Sequence, residues 1–270
     1  MSVYKSEKPI CIDRALRSVW DDQTMKPEEI ILVQDGPLGK ELMEVINLWK
    51  AKLGEHLVTL QNKANLGLTK SLNKGLVYAK GELIARMDSD DISHPMRFER
   101  QIKFLQKHPE IDIVGGALQE FNAENECLGI RHYPQTPKEV ENYIYKASPL
   151  AHPTVTMRRK IFDKGLKYDE RYRTSQDIAL WYDALCDGYK IGNVDDVTIY
   201  FRREGDVFKR RSREKALNEF KIYMNGIRRF YGPISWRYLF PIARFVFRLM
   251  PVSVVKWIYG SKLRELSLRQ

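Results

Sequence analysis

Asp88-Ser89-Asp90-Asp91 places three carboxylates in four residues, just behind the apolar run Leu83-Ile84-Ala85. In extended chain leaving a strand, residues i and i+2 share a face, so Asp88 and Asp90 point together while Asp91 turns aside. Two carboxylates on one face suit Mg²⁺ or Mn²⁺. Such hard ions take one or two protein carboxylates and complete their shell with water and substrate phosphates, so a nucleoside diphosphate is the implied partner. The plain alternative is that the three acids cap the helix that follows. An EF-hand is excluded although Glu99 falls at the twelfth position from Asp88: Ile92 occupies the fifth, Ser93 stands where glycine is required, and Pro95 breaks the loop.

A second carboxylate, Asp177, opens the helical pattern Gln176 to Leu185. It is either a helix-start acid favoured by the dipole or a base that removes a proton from a hydroxyl nucleophile. His152, ahead of Pro153 in a loop, is a candidate ligand contact, with a structural role as the alternative. Arg202 and Arg203, after the last strand, are candidates to meet a diphosphate or are solvated surface. Trp181 reads as core.

The elements around these residues alternate. Helical spacing covers Ile10 to Trp20, Glu41 to Leu53, Leu68 to Ala79 and Pro95 to Lys107. Between them lie apolar strand candidates at Glu29–Val33, His56–Leu60, Glu82–Met87 and Ile111–Gly116, with a later one near Val197–Phe201. The pattern predicts an α/β fold with a single, mostly parallel sheet flanked by helices on both faces, Rossmann-like in its nucleotide-binding half. Ligands of such sheets bind beyond the carboxyl ends of strands. Those ends carry Asp35-Gly36-Pro37, Asn62 to Gly67 and Asp88 to Asp91, which should converge on one rim. Phe121 to Lys146 reads as turn-rich and irregular.

The 270 residues carry a net charge of +10. Arg202 to Gln270 hold 17 basic and 5 acidic side chains, leaving 28 basic and 30 acidic in the first 201 residues. The basicity belongs to the tail, which predicts a near-neutral body over 1–205 and a basic helical extension over 206–270 that meets something anionic. Three separated cysteines offer no disulfide framework or zinc site and fit a reducing cytosol. No apolar run reaches the 18 or so residues of a spanning helix, and the first residues do not read as a secretory leader. Neither a G-x-G-x-x-G loop nor a Walker A sequence is present, which removes the dehydrogenase and P-loop readings.

Six segments occur together in an order that resembles family 2 glycosyltransferases of the GT-A fold. They are Met1-Ser2-Val3-Tyr4, Val33-Gln34-Asp35-Gly36, Asn65-Leu66-Gly67-Leu68, Ile84 to Asp91, His152-Pro153-Thr154-Val155 and Ser175 to Trp181. The likeness covers nearly the whole chain and is greatest to the amylovoran-biosynthesis and O-antigen branch. It implies an inverting hexosyltransferase that uses a UDP-sugar and Mn²⁺ or Mg²⁺. Asp35 then resembles the residue that accepts from uracil N3–H, with Val3 and Tyr4 lining the base and Lys63 and Asn65 bordering the uridine pocket. Asp88 resembles the ribose- or metal-contacting aspartate and Asp90 the direct metal ligand, while Asp177 resembles the catalytic base. Asp91, His152 and Arg202 are further candidate contacts to donor or acceptor. The family's first strand usually has several apolar residues ahead of its S-V-Y segment, which here lies at Met1.

In the tail, Tyr238, Leu239, Phe240, Ile242, Phe245, Val246, Leu249, Val254, Val255, Trp257, Ile258 and Tyr259 interleave with Arg237, Arg244, Arg248 and Lys256. Aromatic faces with basic flanks describe helices lying in a membrane surface, where anionic lipid adds about 1 kcal/mol per nearby basic residue. The expected acceptor is then a sugar, on a polyprenyl diphosphate, at the cytoplasmic face of the inner membrane. The donor sugar leans to galactose or glucose on the resemblance alone. Two rivals have different signatures. A nucleotidyltransferase also sets paired aspartates on an α/β sheet but needs a Gly-rich basic nucleotide loop, and none is present. A non-catalytic nucleotide-sugar-binding body with a nucleic-acid arm needs a less apolar tail, so no nucleic acid is expected.

Overall fold

The computed structural model describes residues 1–122, 124–203 and 213–250. Chain contacts divide it into one unit over residues 1–204 and a second over 205–270. The first unit begins β1 (Ser2–Val3), α1 (Pro9–Trp20), β2 (Ile30–Gln34), α2 (Lys40–Leu53), β3 (Leu57–Gln61), α3 (Leu68–Tyr78) and β4 (Leu83–Ala85). Proline at the start of α1 costs no hydrogen bond there and presets the backbone. The helix buries Ile12, Ala15, Leu16 and Val19 against Leu42, Ile46 and Trp49 of α2, with Ile30 and Leu32 of β2 in the same cluster. Each such aliphatic side chain contributes about 1.5–3 kcal/mol on burial. Trp49 also donates its indole N–H to Asp13 at 2.7 Å.

The chain continues through β5 (Ile92–Ser93), α4 (Arg97–Lys107), β6 (Ile113–Phe121), β7 (Cys127–Arg131), α5 (Pro137–Tyr143), β8 (Thr156–Arg158), α6 (Lys160–Asp163), α7 (Gln176–Cys186) and β9 (Ile191–Arg202). The α/β class and the flanking helices are as expected. The single mostly parallel sheet is not: the strands form a three-stranded parallel sheet, β1-β2-β3, and a six-stranded mixed sheet, β4-β8-β6-β9-β5 with β7 on β6. In the second sheet only β6 and β9 run parallel. The antiparallel pairs all involve β4, β5 or β8, two or three residues long and too short to show alternation, or β7, which is exposed along its length.

Two further differences have local causes. The expected irregular stretch after Phe121 contains β7, exposed along its whole length and therefore lacking an apolar face, and α5, opened by a Thr136/Glu139 capping box. Strand β9 starts six residues earlier than its apolar signal. Pairing passes from Gly116↔Val194 to Ala117↔Val197, so the exposed Asp195 and Asp196 bulge out and interrupt the pattern. Gly116 allows this close pairing, since a Cβ there would lie 2.4 Å from Thr198.

The second unit contains α8 (Arg213–Tyr231) and α9 (Leu239–Leu249). Phe220 packs on Phe245 at 4.7 Å, and Arg244 covers the Tyr223 ring at 4.6 Å. Glu219, nearly buried, pairs with Arg244 at 3.2 Å and Arg248 at 2.8 Å. Leu239, Ile242, Val246 and Leu249 lie on the exposed side of α9. Val254, Val255, Lys256, Trp257, Ile258 and Tyr259 lie outside the described residues. No described helix is long and apolar enough to cross a membrane.

Candidate active site

The carboxyl ends of β1 and β2 are tied together by the amide of Asp35, which donates to the Val3 carbonyl at 2.8 Å. Val3 is fully buried and Tyr4 half-exposed. The Asp35 carboxylate is buried and organises the neighbouring loop. It accepts from Asn62 Nδ2 at 2.9 Å, from the Leu66 amide at 2.8 Å and from the Gly67 amide at 2.9 Å. A carboxylate offers about four acceptor positions, so one remains for a ligand N–H. Lys63 and Asn65 sit exposed on this loop.

Gly36 is what lets the two loops touch. Its φ is +94°, and a Cβ would fall 2.8 Å from the Asn65 amide nitrogen. Gly36→Ala is expected to cost roughly 1–3 kcal/mol through backbone strain and to displace Asn65. Thermal unfolding checks the cost; an unchanged Tm would show that the two loops accommodate the added Cβ.

After β4 the chain presents Arg86, Asp88 and Asp90 in alternation. Buried Arg86 holds Asp88 bidentately, with Nη1 to Oδ2 at 2.7 Å and Nη2 to Oδ1. Ser89 donates to Glu7 at 2.6 Å. Asp91 does not turn aside as the strand alternation predicted. The chain bends, and carboxylate atoms of Asp88, Asp90 and Asp91 lie within 4.8 Å of one another. Asp91 is buried and accepts the Arg202 amide at 3.0 Å, while Arg202 Nε donates to the Asp90 carbonyl at 3.1 Å. The Arg202 guanidinium also stacks on Phe121 at 4.8 Å.

This cluster carries an excess of negative charge. Burial, then the charges of Asp88 and Glu7, push Asp90 up to about 6. Burial, then Asp88 and Asp90, hold Asp91 well above the usual carboxylate range. Asp91 Oδ2 is enclosed and has no hydrogen-bond partner among the described residues. A divalent cation meets each of these conditions, and Asp90 with Asp88 would hold it. Arg86 limits the part Asp88 can take, because it already neutralises that carboxylate.

Asp177 lies half-buried in the first turn of α7. Ser175 enters the helix in the left-handed region, φ 59° and ψ 23°, a conformation that costs a non-glycine residue about 1–2 kcal/mol. The segment leading there is clamped to α3. Asn73 donates to the Tyr168 carbonyl at 2.9 Å and accepts its amide at 3.0 Å, and Thr69 donates to the Tyr172 carbonyl at 2.7 Å. Because α3 starts at the Asp35-bound loop, one helix positions both the loop and the approach to Asp177. Tyr168 stays protonated through burial, and the charges of Arg86, Asp177 and Asp88 all reach it.

His152 is buried. Its Nε2 lies 2.8 Å from the Tyr168 hydroxyl, its ring packs edge-on to Tyr168 and Trp181, and burial holds it neutral. Trp181 is fully buried.

Residues 1–166 match the family described as Glycosyl transferase family 2. The chain belongs to this family. It is 32% identical over 261 residues to the amylovoran biosynthesis glycosyltransferase AmsE of Erwinia amylovora, covering 96% of each chain. It is 30% identical over 266 residues to the UDP-Gal:alpha-D-GlcNAc-diphosphoundecaprenol beta-1,3-galactosyltransferase of Escherichia coli, covering 98% of this chain and 95% of that one. Its fold is similar to that of the mannosyltransferase PcManGT from Pyrobaculum calidifontis, solved in complex with GDP-Man and Mn²⁺. That likeness has a TM-score of 0.65 at 13% identity and covers 98% of this chain and 81% of that one.

The protein is thus a glycosyltransferase with a GT-A fold. Four residues that build the candidate site carry little or no signal of that in the sequence. Arg86 shares the i, i+2 face of Asp88, which was signal enough to find it. Glu7, Asn73 and Tyr168 have no such local signal, since their partners lie 82 and 95 residues away. Arg97, fully buried, donates to the carbonyls of Arg86 at 2.7 Å and Val155 at 3.3 Å, and burial lowers it to about 9.

Proposed function

We propose that this protein moves a hexose, with inversion, from a UDP-sugar to a sugar carried on a polyprenyl diphosphate, in building a bacterial surface polysaccharide. The carrying observation is the clamp of α3 on residues 168–172, which couples the Asp35 loop to Asp177. In this reading Asp35 accepts from uracil N3–H, Val3 and Tyr4 line the base, and Lys63 and Asn65 border it. Asp177 takes the proton of the acceptor hydroxyl as that oxygen bonds to the anomeric carbon and the bond to UDP breaks on the opposite face. Mn²⁺ or Mg²⁺, when bound, neutralises the charge gathering on the departing UDP. Asp90 and Asp88 would hold it, and Arg202 braces the loop that carries them. The relative that acts on UDP-Gal and a GlcNAc-diphosphoundecaprenol supports this donor and acceptor class, and galactose or glucose is the donor sugar we favour.

A panel of UDP-Gal, UDP-Glc, UDP-GlcNAc and UDP-GalNAc, against a synthetic GlcNAc-diphosphate lipid with Mn²⁺, tests the assignment. Turnover with a UDP-hexose and inverted anomeric configuration is expected; a retained configuration would exclude the single-displacement role of Asp177.

The basic extension is the part we assign to the cytoplasmic face of the inner membrane. Arg244 and Arg248 share the one carboxylate of Glu219, and in this reading the exposed aliphatic face of α9 supplies the attachment, with lipid charge adding to it. The double variant Ile242→Glu/Val246→Glu is expected to stop flotation with phosphatidylglycerol-containing vesicles, whereas moderate salt should leave wild-type flotation in place. Release of the wild type by salt alone would make electrostatics the anchor.

A further inference from the structure

Near the carboxyl end of β6, the Glu120 side chain is 7% exposed and is met by two guanidiniums. Arg203 Nη1 lies 3.0 Å from its Oε2, and Nη2 of Arg131, the last residue of β7, lies 2.5 Å from its Oε1. The Tyr133 hydroxyl bonds Arg131 and is kept protonated by burial, which pushes it up to about 12. Two cations thus share one anion, and the cluster keeps a unit of positive charge. The anion is enclosed, whereas the Arg131 and Arg203 side chains are 58% and 39% exposed. A guanidinium carries five N–H donors in a fixed fork. Glu120 engages one nitrogen of each, which leaves N–H groups of both turned to solvent.

The backbone fixes where this charge sits. The Arg203 amide donates to the Phe121 carbonyl at 2.8 Å and so continues the pairing of β6 with β9 by one residue. Neighbouring residues of an extended chain point to opposite faces. Accordingly Arg202 stacks on Phe121 and bonds the Asp90 carbonyl, while Arg203 turns to Glu120. The surplus charge therefore lies one residue beyond the arginine that braces the acidic loop, at the same rim but on the other side of the two strands. Arginine forks take phosphate oxygens two at a time. A cation at Asp88 and Asp90 would serve the donor's diphosphate, and the second diphosphate in the proposed reaction belongs to the acceptor.

We propose that Arg131 and Arg203, spaced by Glu120, form the seat of the acceptor's diphosphate, the doubly ionised group that joins the acceptor sugar to its lipid. This rests on the acceptor class proposed above. Glu120 holds the two guanidiniums beside one another against their repulsion, and because it is a single carboxylate it leaves them able to bind a further anion. The hairpin of β6 and β7 then selects the acceptor by the charge of its linkage, independently of the cation that serves the donor.

The test is calorimetric, in chelator-treated buffer without added metal, and compares a short-chain isoprenyl GlcNAc-diphosphate with the same GlcNAc lipid joined through a neutral ether. The wild-type protein is expected to prefer the diphosphate form about 100-fold, and Arg131→Gln and Arg203→Gln should each lower that preference about tenfold, the loss of one charge-assisted contact. Both variants should keep the wild-type Kd for UDP with Mn²⁺. No preference in the wild type, or one that survives both substitutions, would overturn the proposal. So would equal weakening of the two lipids, which would make the cluster a structural brace, or a weaker UDP–Mn²⁺ complex, which would give the arginines to the donor. Binding requires no transfer, so the seat and the reaction fail separately. A diphosphate preference lost in the variants supports the seat even if no UDP-hexose turns over, whereas turnover with an unchanged acceptor KM in both variants would sink the seat and leave the reaction standing.

Discussion

Asp177→Asn is expected to lower kcat by about 10³-fold, within the range a positioned general base supplies, while leaving the Kd for UDP nearly unchanged. Asparagine preserves the size of the side chain and the start of α7 but cannot take the acceptor's proton. The acceptor oxygen must then attack as a neutral hydroxyl. The clamp through Asn73, Thr69, Tyr168 and Tyr172 is backbone-directed and survives the change, so folding should be unaffected. Steady-state kinetics with calorimetric UDP binding checks this, and turnover within a few-fold of wild type would remove Asp177 from the base role. Loss of both turnover and UDP binding would point to collapse of the 168–173 segment instead.

Asp90→Asn should separate function from stability in opposite directions. At pH 7.5 Asp90 is ionised against its burial and the charges of Asp88 and Glu7. Its value rises from 3.8 to about 6, so between those values the folded chain binds the proton that the unfolded chain releases. The cost of the charge is therefore fully present above about 6 and absent below 3.8. The shift corresponds to roughly 2–3 kcal/mol. Asp90→Asn is thus expected to raise Tm by several degrees at pH 7.5 and to give no gain at pH 3.5. The same change should weaken Mn²⁺-dependent UDP binding about 100-fold, because the side chain no longer offers an anionic ligand. Thermal melts across pH and calorimetry with Mn²⁺ measure the two halves. Unchanged UDP binding would take Asp90 out of the cation site, and a lower Tm at pH 7.5 would mean the cluster is not under repulsion.

Much of this was readable from residue order. Long amphipathic segments such as α1, α2 and α3 announce themselves because each has an apolar stripe matched to the helical repeat, and β2 is apolar on both faces. The acidic cluster and Asp35 stand out because strand ends in α/β folds carry the chemistry. What failed to show was short or exposed. The strands β5 and β8 have too few residues to alternate, β7 has no buried face, and the Asp195–Asp196 bulge disguises the first half of β9. Asp91 was misplaced because alternation holds only while the chain stays extended, and here it bends to meet Arg202.

By itself, then, the sequence determined the family, the α/β class and the residue types able to hold a cation and move a proton, since these follow from local periodicity and motif order. Tertiary structure decided the rest. It spends the Asp35 carboxylate largely on its own loop, commits Asp88 to Arg86, encloses His152 with Tyr168 and Trp181, and turns the α9 arginines inward to Glu219. Each of these depends on which distant groups share a low-dielectric space, where hydrogen bonds and charges must be satisfied by whatever the fold brings near, and chain order does not specify those neighbours.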